Sequence, residues 1–453
     1  MYSTSRWIGA CLALTALLAA GCRRHQESPN RIGPLPPSPG EPAPEVAVTW
    51  IREHEVPFRS EEPTAPEDAD LVALRKAAET ARIVALGEAT HGTHQFFRMK
   101  HRIIQDLVSH QSFKTFAMEA DGAGSCAIDD YIHTGAGDPA QLIHDLVFWT
   151  WNTEEFLALV RWMRSYNQSV GPERAISFRG IDMQNPLALS RRVVSFLQRS
   201  DPAESSRVES AYRCLGPLED HDALEEGYLQ EDIVKQMQCA ASIAAIDQRI
   251  SRNRERYERI SPSGYACALW NAHLMVQAEA LLRFPSTRDH LYADNLLALA
   301  AHTSDKTIVW AHNGHVGNLP GAMGRRLRRE LRDDYLVVGL TSYGGNFRAR
   351  TRKPDGGAGP PVPITALPAP DSFEAAFHRA GQQRFLLDLR PLRIASAGPG
   401  WLTGLHPLRD VGGAYDPRTA ASAVRLPEAF DFLIFFDSTG PSILLPRLPG
   451  RPK

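Results

Sequence analysis

Apolar and polar positions along the chain follow two rhythms that take turns. From Asp68 to Ala81, Leu71, Leu74, Ala77 and Ala78 recur at intervals of three and four, which is the spacing of one helix face. Ile83–Leu86 (IVAL) is then a short continuous apolar run, predicted as a buried strand. Gln95–His110 returns to helical spacing, with Phe96, Met99, Ile103 and Leu107 on one face. The exchange repeats down the chain. Strand runs are predicted at Phe113–Asp121, Ala175–Asp182, Lys306–His315, Asp334–Tyr343, Gln383–Arg390 and Phe430–Ser438. Asp145–Asn167 is a helical region with a start signal at Asn152 or Thr153, and Gly264–Leu282 is another helix. Pro186 to about Ile260 is charged, helical and broken at Gly216–Pro217; it reads as an insert, a helical lid over the strand ends. Strands that alternate with helices and are apolar throughout predict an α/β fold, a mainly parallel open sheet with helices on both faces.

Ligands in such sheets bind beyond the carboxyl ends of the strands. Titratable residues stand at four of those ends: Glu88 with His91, Glu119, Asp182, and His312 with His315. Buried acids and imidazoles must pair with one another, with a metal or with a substrate. A lone histidine at a strand end is most often structural, whereas this many ionisable groups on one edge describe a functional cleft. The chain has no G-x-S-x-G elbow, no H-E-x-x-H and no Walker loop.

Composition adds limits. The 453 residues are 43% hydrophobic and 8% aromatic, enough for a sizeable core, and the net charge of −2 leaves no electrostatic footprint for nucleic acid. The arginine run Gly324–Asp334 carries interleaved acids and reads as a solvated helix face. At the N-terminus, Arg6 precedes an apolar stretch from Trp7 to Ala20, too short for an ordinary membrane span and suited to a secretory signal. Ala19, Ala20 and Gly21 before Cys22 resemble the lipobox of bacterial lipoproteins, with Ala19 where that pattern prefers Leu or Val. The resemblance implies residues 1–21 as a signal peptide and Cys22 as a lipidated first residue. Pro-rich residues 22–46 would be the tether and 47–445 the folded domain. The protein would then be exported and held to the cell envelope by its lipid alone. Cys126, Cys214, Cys239 and Cys267 remain, with three possible pairings; Cys214 and Cys239 flank one helical hairpin.

The segment GEATHGTHQFFRMK (Gly87–Lys100) resembles the signature of the erythromycin esterase family. FAMEAD with Glu119, FRGIDMQ with Asp182, RDHLYADN (Arg288–Asn295) and VWAHNGHVGN with His312 and His315 follow in the family's order. The resemblance spans roughly Ala47 to Pro441. It implies hydrolysis of a macrolide lactone or other ester by activated water, with no cofactor, no metal and no protein partner. Carried over, His91 is the general base and Glu88 fixes its tautomer. Glu119 holds the water or tunes the imidazole, or else pairs with Lys100 or Arg179. His312 and His315 donate to the carbonyl oxygen, or orient their neighbours. Lys100, Asp182 and Arg288 are supporting, substrate-binding candidates. His94 and His101 are read as bystanders. The same donors would also suit zinc or manganese, which keeps a metal-dependent hydrolase open. A non-catalytic tethered binding protein ranks last because Glu88, His91 and His312 are all present.

Overall fold

The computed structural model describes residues 40–64, 69–146, 148–218, 221–302, 305–352, 357–394 and 398–446. The expected signal peptide and Cys22 lie outside them. Thirteen strands form in chain order: β1 (Glu55–Pro57), β2 (Ile83–Leu86), β3 (Phe113–Asp121), β4 (Ser177–Asp182), β5 (Lys306–Trp310), β6 (Tyr335–Gly345), β7 (Phe347–Arg352), β8 (Ala358–Ile364), β9 (Arg384–Asp388), β10 (Leu405–Arg409), β11 (Ala414–Tyr415), β12 (Ala421–Arg425) and β13 (Phe432–Thr439). Eight of them make the central sheet in the order β1-β9-β13-β6-β2-β5-β3-β4. The six strands from β13 to β4 run parallel, and β9 is antiparallel to β13.

The continuous apolar runs are explained by burial on both faces. Ile83 and Ala85 of β2 join one core with Val309, Ala117 and the helix Pro262–Arg283. Val84 and Leu86 join the other, with Ile308, Phe116 and the helix His94–Gln111. The chain leaves β2 for β3 and β4 on one side, returns to β5 beside β2, and then builds β6 and β13 on the other. Such a reversal opens a crevice at the carboxyl ends of the central strands.

Several boundaries differ from expectation. Residues 40–46 of the expected tether join the folded body: Gly40 N–H donates to Asp371 Oδ2 at 2.7 Å, Ala43 is buried, and a helix begins at Glu45. Within the helical region read over Asp145–Asn167 the helix starts at Glu154, at the expected Thr153 signal, which caps it by accepting from Phe156 N–H. The residues before the cap form a short turn, Trp149–Trp151. Strand β5 ends at Trp310 rather than His315, because His312 caps the single turn Asn313–Val316. Within the insert, Gly216 takes a left-handed φ of +102°, which is the expected break. Its helices, including Pro186–Ser200 and Ile233–Arg252, pack on one another and on Pro262–Arg283. The arginine run ion-pairs with Asp294, Asp431 and Glu330.

Two disulfides form, Cys214–Cys239 and Cys126–Cys267, at sequence separations of 25 and 141. Loop-closure entropy makes the longer link worth more, about 5 kcal/mol against about 3.5 kcal/mol. Replacing Cys126 and Cys267 by serine should therefore lower the urea unfolding free energy further than the same change at Cys214 and Cys239. Equal losses would contradict this ordering.

Candidate active site

The segment after β2 is held straight by its neighbours before it turns into a helix. Gly87 N–H donates to Val338 O at 2.7 Å and Ala89 N–H to Leu340 O at 3.0 Å. Both glycines of the GEATHG segment sit where another part of the polypeptide passes close. A Cβ on Gly87 would lie 2.1 Å from Asn313 Oδ1, and one on Gly92 would lie 2.0 Å from Arg348 O. A larger residue at Gly92 would have to move the Arg348 backbone, and one at Gly87 would have to displace the Asn313 and Val316 side chains. His91 N–H is fixed on Gly412 O at 3.0 Å, and the helix then starts at His94 and brings Lys100 back beneath the segment.

Glu88 and Lys100 are both fully buried and form an ion pair. The Lys100 ammonium also lies 4.6 Å from the centre of the Trp310 ring. The other oxygen of Glu88 meets His91 Nδ1 at 2.8 Å. An ionised carboxylate only accepts, so the proton of neutral His91 sits on Nδ1 and Nε2 presents a lone pair. Among the described residues nothing hydrogen-bonds that Nε2. Burial pushes His91 down to about 3, so the ring is neutral at physiological pH. Its ring packs T-shaped with Trp151 and His312, with ring centres at 5.3 and 5.1 Å.

A second network lies beside the first. Glu119 Oε1 is 3.2 Å from His315 Nε2 and 3.4 Å from Arg288, and Glu119 Oε2 accepts His312 N–H at 3.1 Å. Burial alone would raise the Glu119 carboxyl, but the cations His315 and Arg288 outweigh it and hold the group well below the usual range. His315 is bracketed, with Nδ1 on Asp289 at 2.9 Å. Burial opposes its charge, but Asp289 and Glu119 prevail and raise it to about 10, so it is an imidazolium. Asp182 accepts from Arg288 at 2.5 Å, from the Tyr292 hydroxyl at 2.6 Å and from Gln184 N–H at 2.9 Å. His312 is gripped by main chain: Nδ1 accepts from Gly314 N–H at 3.1 Å, and Nε2 lies 3.1 Å from Gly412 N and 3.3 Å from Ala89 O.

All eight expected site residues of the folded domain therefore converge on one edge of the sheet. Glu119 pairs with Arg288 and His315 rather than with Lys100 or Arg179, whose partners are Glu88 and Asp129. Both nitrogens of His312 and of His315 are already engaged by protein groups. His94 lies on Glu155 at 2.5 Å and His101 against Trp162, outside the cluster. Sequence reasoning missed Asp289 and the segment from Asp410 to Gly413. Asp289 had a signal, since it is the second residue of RDHLYADN. Asn295 of the same segment ties its helix to β4 through Ile181 O at 3.0 Å. The segment from Asp410 to Gly413 had none.

Known proteins resemble the chain over most of its length. A family model described as erythromycin esterase matches residues 108–439, a span that begins after the Glu88–His91 segment. Erythromycin esterase type II of Escherichia coli is 25% identical over 336 residues, 66% of this chain and 78% of that protein. A solved Bacillus cereus protein has a TM-score of 0.75 at 26% identity, covering 88% of this chain and 98% of its own. A mutant of the erythromycin esterase EreC in its open conformation has a TM-score of 0.63 at 17% identity, covering 85% and 98%, and shows the same fold. With nearly three quarters of its length matched by the family model and the expected motifs gathered on one sheet edge, the chain belongs to the erythromycin esterase family of hydrolases.

Proposed function

We propose that the protein hydrolyses a carboxylic ester or macrolide lactone, with His91 activating water. The observation that carries this reading is the state of His91: neutral, with its Nδ1–H committed to Glu88 and its Nε2 unpartnered beside the network of Glu119, His315 and Arg288. A water proton passes to Nε2 while the water oxygen attacks the carbonyl carbon. The ring is briefly cationic at that point, and the Glu88 carboxylate at Nδ1 opposes the desolvation that disfavours this charge. The tetrahedral oxyanion collapses, the C–O bond to the alcohol breaks, and the imidazolium returns its proton to the leaving oxygen. The products are an acid and an alcohol, and the base is regenerated. His315 and Arg288 supply positive charge on the Glu119 side, and Glu119 places His312 through its N–H.

Glu88 and Glu119 have their charge compensated by Lys100, Arg288 and His315, which supports a reaction without a metal ion. Erythromycin is the namesake substrate of the Escherichia coli relative, so macrolides head the substrates to be tried. Purified protein should add one water to a 14-membered macrolide lactone or to simple aliphatic esters, followed by mass spectrometry. The rate should be unchanged after dialysis against a chelator. A rate abolished by chelation and restored by zinc or manganese would favour the metal-dependent alternative, and no turnover of any ester would end the proposal.

A further inference from the structure

The His91 side chain is only slightly exposed, and Gly412 and Gly413 lie beside the Cδ2 edge of its ring. Three bonds and one close approach fix residues 410–413. Val411 N–H donates to Ala89 O at 2.9 Å, His91 N–H to Gly412 O at 3.0 Å and Arg350 N–H to Gly413 O at 3.0 Å, and Gly412 N lies 3.1 Å from His312 Nε2. The two glycines answer different needs. Gly412 has a φ of +62°, where a side chain is strained. Gly413 has no such constraint on its backbone. A Cβ built on it would lie 3.4 Å from Thr150 Cγ2, 3.7 Å from His91 Cδ2 and 3.9 Å from Trp149 Cζ2, all ordinary contact distances. The backbone therefore tolerates alanine at position 413. Its methyl would stand in the space bounded by the catalytic imidazole, Thr150 and the indole of Trp149. Gly413 and Trp149 are both only half-buried, so this space opens to solvent.

We propose that Gly413 is the specificity-determining position of the site. The missing side chain leaves room, against the apolar wall of Trp149, for a branched or ring carbon beside the scissile carbonyl. The substrate class is then esters and lactones with a bulky acyl side, and this rests on the reading of His91 as the base. The test compares kcat/KM for p-nitrophenyl pivalate and p-nitrophenyl acetate in wild type, Gly413→Ala, Gly413→Val and Trp149→Ala. One added methyl in an apolar pocket discriminates by about tenfold or more. The pivalate-to-acetate ratio should fall by that factor in Gly413→Ala and further in Gly413→Val, and should rise in Trp149→Ala. An unchanged ratio in both Gly413 variants, with both esters still hydrolysed, overturns the proposal and leaves the role of His91 standing.

A second measurement does not depend on turnover. Diethyl pyrocarbonate should acylate His91 several-fold more slowly in Gly413→Val than in wild type, read by peptide mass spectrometry on protein with an unaltered unfolding midpoint. Equal rates overturn the proposal even if neither ester is a substrate.

Discussion

Replacing His91 by alanine is expected to lower kcat/KM by about 100- to 10,000-fold, the range over which a positioned general base contributes. The fold should survive, because the side chain touches solvent and its main chain is held through Gly412. The pH profile sharpens this expectation. His91 is pushed down to about 3 by burial, so its neutral form prevails from mildly acidic pH upward. A free imidazole would lose activity as pH falls through about 6.5, and here that acid limb should appear well below it. His315 is raised to about 10, so the cation beside Glu119 persists until pH climbs through that value. The rate should therefore form a broad plateau across neutrality, falling at the basic end near pH 10. The same group contributes stability that is complete below its unfolded value of 6.5 and is lost as pH rises through about 10. Full activity in His91→Ala would remove the base from the mechanism. An acid limb centred near 6.5 would show that the ring is solvated during turnover.

The sheet was readable because both its faces are covered. Phe113–Asp121 forms with its expected bounds, and Ile83–Leu86 does the same. Ends were harder, because a cap overrides a run: His312 stops β5. Two strands of the smaller sheets were hidden by their composition. Strands β8 (AGPPVPI) and β10 (LHPLR) contain prolines, which argue against a strand and are tolerated only where ladder bonds are missing. Strand β7 (FRARTR) did carry a signal, with Phe347 and Ala349 buried and arginines alternating with them. In the site, Glu88 and His91 were legible because three residues on a tight turn bring them together. The pairing of Lys100 with Glu88 was not, because it depends on how the helix His94–Gln111 settles under the segment. Residues 410–413 reach the site through long-range contacts with His91 itself, Ala89, His312 and Arg350, which leave no pattern in the chain.

The buried Glu88–Lys100 pair should be the most damaging place to intervene for stability. Lys100→Met leaves a carboxylate with no exposure and no cation against it, and breaking a buried pair from one side costs about 3–5 kcal/mol. Glu88→Gln strands the ammonium instead, with the Trp310 ring as its remaining neighbour, and a comparable loss is expected. Activity should fall in both, because Glu88 holds the His91 proton on Nδ1. The double variant separates the two roles. With methionine filling the volume of the lysine and a neutral amide in place of the acid, no uncompensated charge stays buried. Urea unfolding should show a loss well short of the sum of the singles. Turnover should not recover with it, since an amide cannot balance the charge that His91 acquires when it takes the water proton. If the losses in stability were additive, Glu88 and Lys100 would not be a coupled pair. If the stable double variant regained wild-type rates, the carboxylate would have no part in activating His91.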